Sequence, residues 1–266
     1  MTAGIGILGM ASPLLQEVFG GGLINKPELG YGQLDKSQLA AIAAIAAGFT
    51  GLLSLFNIGG RFFWASLSDK LGRKLTYLIF FVLGFVLYAA IPWTAHMGAL
   101  ALFVAAFCVI LSMYGGGFAT VPAYLADLFG TQMVGAIHGR LLTAWAAAGV
   151  LGPVLVNYLR EYQLSIGVER AAAYDITLYI LAGLLVLGFL CNLLVRPVAD
   201  KYFMTDEQLA AEQALGHDKG ADSSVVLEWK ASSASLPVVI AAWLVVGIPL
   251  AWGVWVTLQK TAVLFH

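Results

Sequence analysis

One arginine stands apart from the other charged residues of a strongly apolar chain. Arg61 lies in the stretch NIGGRFFW, eight residues before Asp69, where a dense run of charge begins. In a helix that separation is about 12 Å, so if Asp69 marks a membrane interface, Arg61 lies near the middle of an apolar core about 30 Å thick. An arginine at that depth costs at least about 2.5–3.5 kcal/mol and normally faces a wet cavity. The position favours an anion-binding site over the alternative, snorkelling of the side chain to the interface.

The charged run itself, ASLSDKLGRK, places a carboxylate at the end of an apolar segment and follows it with a glycine turn and three cations. Its charged and turn residues are Asp69, Lys70, Gly72, Arg73 and Lys74. Charge-assisted hydrogen bonds between such groups can bridge neighbouring helix ends and hold one conformation closed. Simple positive-inside anchoring is the other interpretation. The spacing alone does not choose between a gate and an anchor.

Two further stretches carry candidate residues. The stretch YGGGFATVP begins at Tyr114, and its glycines and proline predict either a local bend beside a substrate path or close helix packing. Tyr114 itself is a candidate cavity hydroxyl. Arg140 lies about 9 Å inside another apolar segment, where it either snorkels to the interface or serves as a gate residue or second cation.

Motifs for catalysis and for metal or nucleotide binding are absent from the sequence. No nucleotide-binding loop, metal-ligand helix pair or nucleophile motif occurs along the chain. Paired titratable residues at one membrane depth are also missing, which disfavours an intramembrane enzyme. We therefore expect no enzymatic activity, no metal and no cofactor.

The elements that must position these residues are membrane helices. Apolar residues make up 60% of the 266 residues and charged residues 11%, whereas about a quarter of a soluble domain is charged. Lipid leaves an isolated segment only the helix to satisfy its backbone hydrogen bonds. The apolar runs of spanning length predict seven helices, at about 2–19, 38–66, 75–94, 98–126, 134–158, 172–196 and 237–258.

The charge layout divides the chain into three parts. Residues 1–198 are predicted to form a six-span bundle, whose first span looks truncated because its apolar part is short. Residues 199–235 are the long polar stretch and are predicted to be a cytoplasmic linker. Residues 236–266 are predicted to be an additional transmembrane helix with a short tail. The lysines and arginine of DKLGRK favour a cytoplasmic position for the loop after the second span.

Several motifs resemble a known family. ASLSDKLGRK resembles the major facilitator superfamily loop signature G-x-x-x-D-[RK]-x-G-[RK]-[RK], with Ala65 in place of the first glycine. NIGGRFFWASLSDKLGRK, YGGGFATVPAYLADLFGTQMVGAIHGRLLTAW and GVLGP resemble the C-terminal half of its oxalate/formate antiporter family, from about residue 2 to 200. The resemblance implies an all-α membrane protein: the six-helix C-terminal half of a major facilitator superfamily bundle, here with one extra C-terminal helix.

The resemblance also implies a substrate site. Members of this family bind dicarboxylate with an arginine in the segment that matches GGRFFW, which is Arg61 here. They also use a lysine in a stretch that matches RLLTAWAAAG, where this chain has Trp145. A dianion held by one cation is less well compensated, so a monocarboxylate, or a bulkier carboxylate packed on the indole, fits better. The candidate substrate-binding residues are Arg61, Trp145 and Tyr114, with Arg140 as a candidate second cation. Ordinary helix packing is the other interpretation of Trp145.

The implied function is secondary active transport of a small organic anion by antiport or proton-coupled alternating access. Family transporters have two six-helix halves, so we expect a multi-pass cell-membrane protein that is a fragment or one half of a carrier. Its expected partners are the lipid bilayer, the organic anion and a separate N-terminal half, and not nucleic acid. The alternative is a non-transporting membrane module that assembles with or regulates a carrier.

Overall fold

The computed structural model describes residues 1–131, 133–196, 198, 208, 210 and 236–262. Within these residues the chain is helical and has no strand, which confirms the predicted all-α class. The helices are α1 Thr2–Phe19, α2 Lys36–Leu71, α3 Arg73–His96, α4 Leu100–Phe129, α5 Val134–Ser165, α6 Asp175–Leu194 and α7 Leu236–Ala262. The predicted linker at 199–235 lies outside the described residues, apart from Gln208 and Ala210.

Helices α1 to α6 are each long and apolar enough to cross a membrane, as judged over the described residues. Each lies where an apolar run predicts a span. Helix α7 occupies the position of the predicted additional helix, and its crossing of a membrane stays a prediction. The described residues fall into two units: one holds α1 to α6 with the end of α7 from Val254, and the other holds 196–253.

Polar residues extend α2 beyond its apolar run at both ends. At its start, the Asp35 carboxylate accepts hydrogen bonds from the backbone N–H groups of Ser37 and Gln38, and Gln38 reaches back to the Asp35 N–H. This capping box satisfies N–H groups that have no partner within the helix. The hydrogen bond from the Ser37 hydroxyl, together with these backbone bonds, holds the pKa of Asp35 below its ordinary value.

At its other end α2 stops at a single glycine. Gly72 has φ +85°, a conformation that costs a glycine little because it has no Cβ. Its N–H donates to the Ser68 carbonyl and its carbonyl accepts from the Thr76 N–H. The turn therefore leads directly from α2 into α3 and keeps the charged run of 69–74 at one end of the bundle.

Helices α2 and α4 form the most extensive helix pair. A Cβ added at Gly60 would overlap the Ser112 carbonyl, and one added at Gly115 would overlap the Asn57 carbonyl. Helix α4 is continuous from Leu100 to Phe129. Glycines in YGGGFATVP therefore allow close packing, which is one of the two interpretations that the sequence left open.

The remaining helices pack as two further pairs, α3 on α6 and α1 on α5. In the second pair, a Cβ at Gly152 would lie 3.1 Å from the Gly6 nitrogen. Helix α5 buries only Ala148, Gly152 and Val156 among its described residues. Those three residues form one stripe along the helix, so most of the α5 surface stays uncovered by the rest of the chain.

We expect Gly60→Ala to destabilise the bundle although alanine is the better helix former. Overpacking a close contact costs about 1–3 kcal/mol, against a gain in helix propensity of at most about 1 kcal/mol. Thermal unfolding of the purified chain in detergent measures the balance. Gly59→Ala is the matched control, because a Cβ there meets no atom within 4 Å. Equal unfolding temperatures for the two variants would contradict the close packing.

Candidate functional site

A cavity of about 530 Å³ opens between α1, α2, α4 and α5. Residues from three separate sequence motifs meet in it: Arg61, Tyr114 and Trp145. We call it the arginine cavity. Its lining residues are Leu8, Leu53, Ser54, Asn57, Ile58, Arg61, Leu111, Tyr114, Phe118, Leu142 and Trp145. The three predicted substrate-binding residues therefore share one cavity, and their role in binding stays a prediction.

The contact between α2 and α4 aims Arg61 at this cavity. Gly60 and Trp64 face α4, where the Trp64 Nε1–H donates to the Ser112 hydroxyl at 3.2 Å. Because successive residues turn by about 100° around a helix, Arg61 lies to one side of that contact. Ser54, Asn57 and Arg61 recur at helical spacing and line the cavity together.

Arg61 is the charged residue of the arginine cavity. Its side chain is exposed, and none of the cavity's lining residues carries a carboxylate. Throughout the described part of the chain, no hydrogen bond or ion pair to the Arg61 side chain is formed. An unpaired guanidinium in a cavity without a carboxylate is a candidate group for binding an anion.

Aromatic side chains form the wall on the α4 and α5 side of the cavity. The Phe118 ring makes edge-to-face contacts with Tyr114 at 5.1 Å and with Trp145 at 6.0 Å between ring centroids. The Tyr114 ring packs so closely on α1 that a Cβ at Gly4 would overlap it. Trp145 is 44% exposed, so its indole is accessible to a ligand in the cavity.

Arg140 is not among the lining residues of the arginine cavity. It precedes Trp145 by five residues on α5, a rotation of about 140° around the helix axis. Its side chain is exposed. The structure therefore separates this candidate second cation from the three residues that share the cavity.

Three of the predicted gating residues, Asp69, Arg73 and Lys74, take part in two groups of contacts at one end of the bundle. The first is the Arg73 cluster, which consists of Ser68, Asp69, Arg73 and Asp127. Arg73 pairs with Asp69, donates to the Ser68 hydroxyl and lies 3.6 Å from the Asp127 carboxylate. The cluster thereby joins the end of α2, the start of α3 and the end of α4.

Lys74 forms the second group by capping the end of α6. Its Nζ donates to the carbonyls of Leu193 at 3.2 Å and Val195 at 2.7 Å. Asn192 donates in turn to the Lys74 carbonyl and accepts from the Tyr124 hydroxyl. A cation placed on the last carbonyls of a helix is favoured by their partial negative charge. Lys70 is exposed and joins neither group among the described residues.

An ionic cluster at the opposite end of the bundle connects α1 with α5. The Glu17 side chain is only 6% exposed and pairs with Arg160 through both carboxylate oxygens, with Arg170 at 3.6 Å. Arg160 also donates to the Tyr174 hydroxyl at 2.8 Å. Desolvation, helped by the charge of Glu17, raises the pKa of Tyr174 above its ordinary value. We call these four residues the Glu17 cluster.

Sequence reasoning assigned no role to Asp127, Asn192 or the Glu17 cluster. Each is a polar residue close to the end of an apolar segment. That position indicates a possible contact between helices, because a polar group near a helix end lies beside the ends of the neighbouring helices. Which residues then pair depends on helix rotation, and helix rotation cannot be read from span length.

The family model of the Major Facilitator Superfamily matches residues 1–265 of this chain. The chain belongs to the Major Facilitator Superfamily. The oxalate:formate antiporter of Oxalobacter formigenes is 32% identical over 134 residues, which is 50% of this chain and 31% of that protein. The match therefore spans about a third of that relative's length. No solved structure matches the chain.

Membership in the Major Facilitator Superfamily fits the described helices. The six apolar helices and the family together identify a multi-pass integral membrane protein. A family of transporters and a relative named as an antiporter point to membrane transport rather than to enzymatic catalysis. The antiporter relationship agrees with the resemblance inferred from the motifs.

We expect Lys74→Met to loosen the last turn of α6, because the carbonyls of Leu193 and Val195 lose their donor. A loss of about 1 kcal/mol corresponds to roughly five-fold faster amide exchange of that turn. Hydrogen exchange of the purified chain measures it, with Lys70→Met as the matched control. Unchanged exchange in Lys74→Met would contradict the capping role.

We expect Glu17→Gln to lower the free energy of unfolding substantially, because Arg160 would keep a charge without its carboxylate. Breaking a buried ion pair from one side costs about 3–5 kcal/mol. The loss of free energy of unfolding should lie at the lower end of this range, since the Arg160 side chain is 22% exposed. Thermal unfolding in detergent measures it. Glu161→Gln changes an exposed carboxylate next to Arg160 and should have no effect, so equal losses in both variants would refute the ion pair's importance.

Proposed function

We propose that this chain supplies the C-terminal six-helix half of a carrier for small organic anions and that Arg61 binds the substrate's carboxylate. The observation that carries the proposal is the unpaired Arg61 side chain in a cavity whose lining residues include no carboxylate. A cation placed at that depth without a partner is costly. An anionic substrate removes this cost each time it binds.

The donors in the arginine cavity fit one carboxylate group. The Arg61 guanidinium can give two parallel hydrogen bonds to a carboxylate. Tyr114 and Trp145 line the same cavity and carry an O–H and an N–H donor. One fixed positive charge balances one negative charge, so a monocarboxylate is better compensated than a dianion. The antiporter relative is named for oxalate and formate, and of these formate carries the single charge.

The two ionic clusters are candidates for alternating gates. The Arg73 cluster ties α2, α3 and α4 at one end, whereas the Glu17 cluster ties α1 and α5 at the other. In the proposed cycle one cluster opens while the other holds, so that the arginine cavity is open to one side of the membrane at a time. Both antiport and proton coupling fit this cycle, in the membrane that bounds the cell.

A second six-helix half is the proposed partner. The arginine cavity is open, because its lining residues Ile58, Leu142 and Trp145 are exposed. Most of the α5 surface is uncovered as well. A second bundle placed against α2 and α5 would close the cavity around the substrate. This half would be a separate chain or a further segment of the same protein.

We expect Arg61→Gln to reduce exchange of labelled formate or acetate at least ten-fold in proteoliposomes. Hydrogen bonds to a charged group contribute about 1.5–3 kcal/mol, and 1.4 kcal/mol is a factor of ten. The chain is reconstituted alone and together with an N-terminal six-helix half. Arg140→Gln is the matched control, because Arg140 is an exposed arginine outside the cavity. If Arg61→Gln exchanged anions at the unaltered rate, the proposed site would be wrong.

A further inference from the structure

A second cavity lies behind the aromatic wall of the arginine cavity. It has a volume of about 150 Å³ and is bounded mainly by α3 and α4, with the start of α1 and Leu185 of α6. We call it the aromatic cavity. Its side chains include Tyr77, Phe80, Phe81, Tyr88 and Met113, and the backbone of Gly117 also lines it.

Two residues line both cavities. Tyr114 and Phe118 lie one helical turn apart on α4, and each borders the arginine cavity on one side and the aromatic cavity on the other. Their rings touch edge to face at 5.1 Å. The two cavities therefore share these two side chains as lining residues.

The aromatic cavity suits an apolar ring. None of its lining residues carries a charged side chain, although Met1, which also lines it, carries the α-amino group. The Tyr77 hydroxyl is used internally, since it donates to the Gly117 carbonyl at 2.6 Å. A cavity of about 150 Å³ lined mainly by apolar and aromatic side chains has room for one benzene-sized molecule. Aromatic side chains at its edge offer edge-to-face contacts to an incoming ring.

We propose that the substrate is an aromatic monocarboxylate, whose carboxylate binds Arg61 and whose ring enters the aromatic cavity past Tyr114 and Phe118. The proposal rests on the proposed role of Arg61 as the anion site and adds the class of substrate. The two halves of such a molecule match the two cavities, one with a cation and the other mainly aromatic and ring-sized. Trp145 lines the arginine cavity and packs on Phe118, so it lies on the carboxylate side of the shared wall.

The test is isothermal titration calorimetry of the purified full chain in detergent with phenylacetate and with acetate at neutral pH. Burial of the ring predicts a dissociation constant at least about ten-fold lower for phenylacetate. Phenylacetamide has the same ring without the charge and should not bind measurably. Equal affinity for phenylacetate and acetate would overturn the proposal and leave the anion site at Arg61 intact.

Two variants separate the ring site from the carboxylate site. Gly117→Leu places a side chain in the aromatic cavity, because a Cβ there meets nothing within 4 Å. It should abolish the preference for phenylacetate and leave acetate binding unchanged. Gly183→Leu changes an exposed glycine of α6 that also has open space around it. It should change neither the preference for phenylacetate nor the binding of acetate. A preference that survives Gly117→Leu would overturn the ring site.

Arg61→Gln distinguishes failure of this inference from failure of the proposed function. If Arg61→Gln binds neither phenylacetate nor acetate, the result supports both the proposed function and this inference. If phenylacetate alone still bound, the ring site would be independent of Arg61 and the inference would be wrong. If both acids still bound, the proposed function would fail as well. Should Gly117→Leu not fold, Gly117→Ala decides: its smaller side chain should reduce the preference for phenylacetate over acetate, and an unchanged preference would count against the proposal.

Discussion

A guanidinium inside an apolar helix bundle must be neutralised, and this requirement organises the charged residues described here. Arg73 and Arg160 meet it within the chain, through Asp69 and Asp127 in one case and through Glu17 in the other. Arg61 has no such carboxylate partner among the residues that the structure describes. Arg73 and Arg160 thus hold helix ends together, and we propose that Arg61 binds a ligand.

The close contact of α2 with α4 makes that arrangement possible. Gly60 and Gly115 bring the two backbones together, and Trp64 fixes the rotation of α2 by its hydrogen bond to Ser112. Arg61 therefore lies to one side of this contact, and it lines the arginine cavity together with Tyr114 and Phe118 of α4. This helix pair therefore sets the α2 and α4 sides of the arginine cavity, whereas α5 contributes Trp145 to its aromatic wall.

The positions of the helices could be predicted from the sequence, because span length follows from the thickness of the membrane core. Their ends were less predictable. Helix α5 continues to Ser165, beyond the predicted 158. Its last residues, NYLREYQLS, are therefore helical although the apolar run has ended. Depth together with the family resemblance predicts Arg61 and Trp145 at a similar level, and both line the arginine cavity. Depth fixes the level of a residue along the membrane normal.

Rotation about the helix axis was not predictable in the same way. Glu17 and Arg160 are separated by 143 residues, and nothing local marks them as partners. The same holds for Lys74 and the end of α6. Arg140 lies inside an apolar segment, as expected, but its helix face turns it away from the arginine cavity. The linker prediction at 199–235 concerns residues outside the described part of the chain.

Nitrogen NMR of the chain with ¹⁵N-labelled arginine side chains is the most direct test of the claim that Arg61 binds the substrate carboxylate. The Arg61 resonance is assigned by its loss in Arg61→Lys. Titration with acetate should shift the Arg61 guanidinium signal saturably and leave those of Arg73 and Arg160 in place, since both already have carboxylate partners. A titration in which the Arg61 signal stays fixed, or in which all arginines shift alike, would contradict the account.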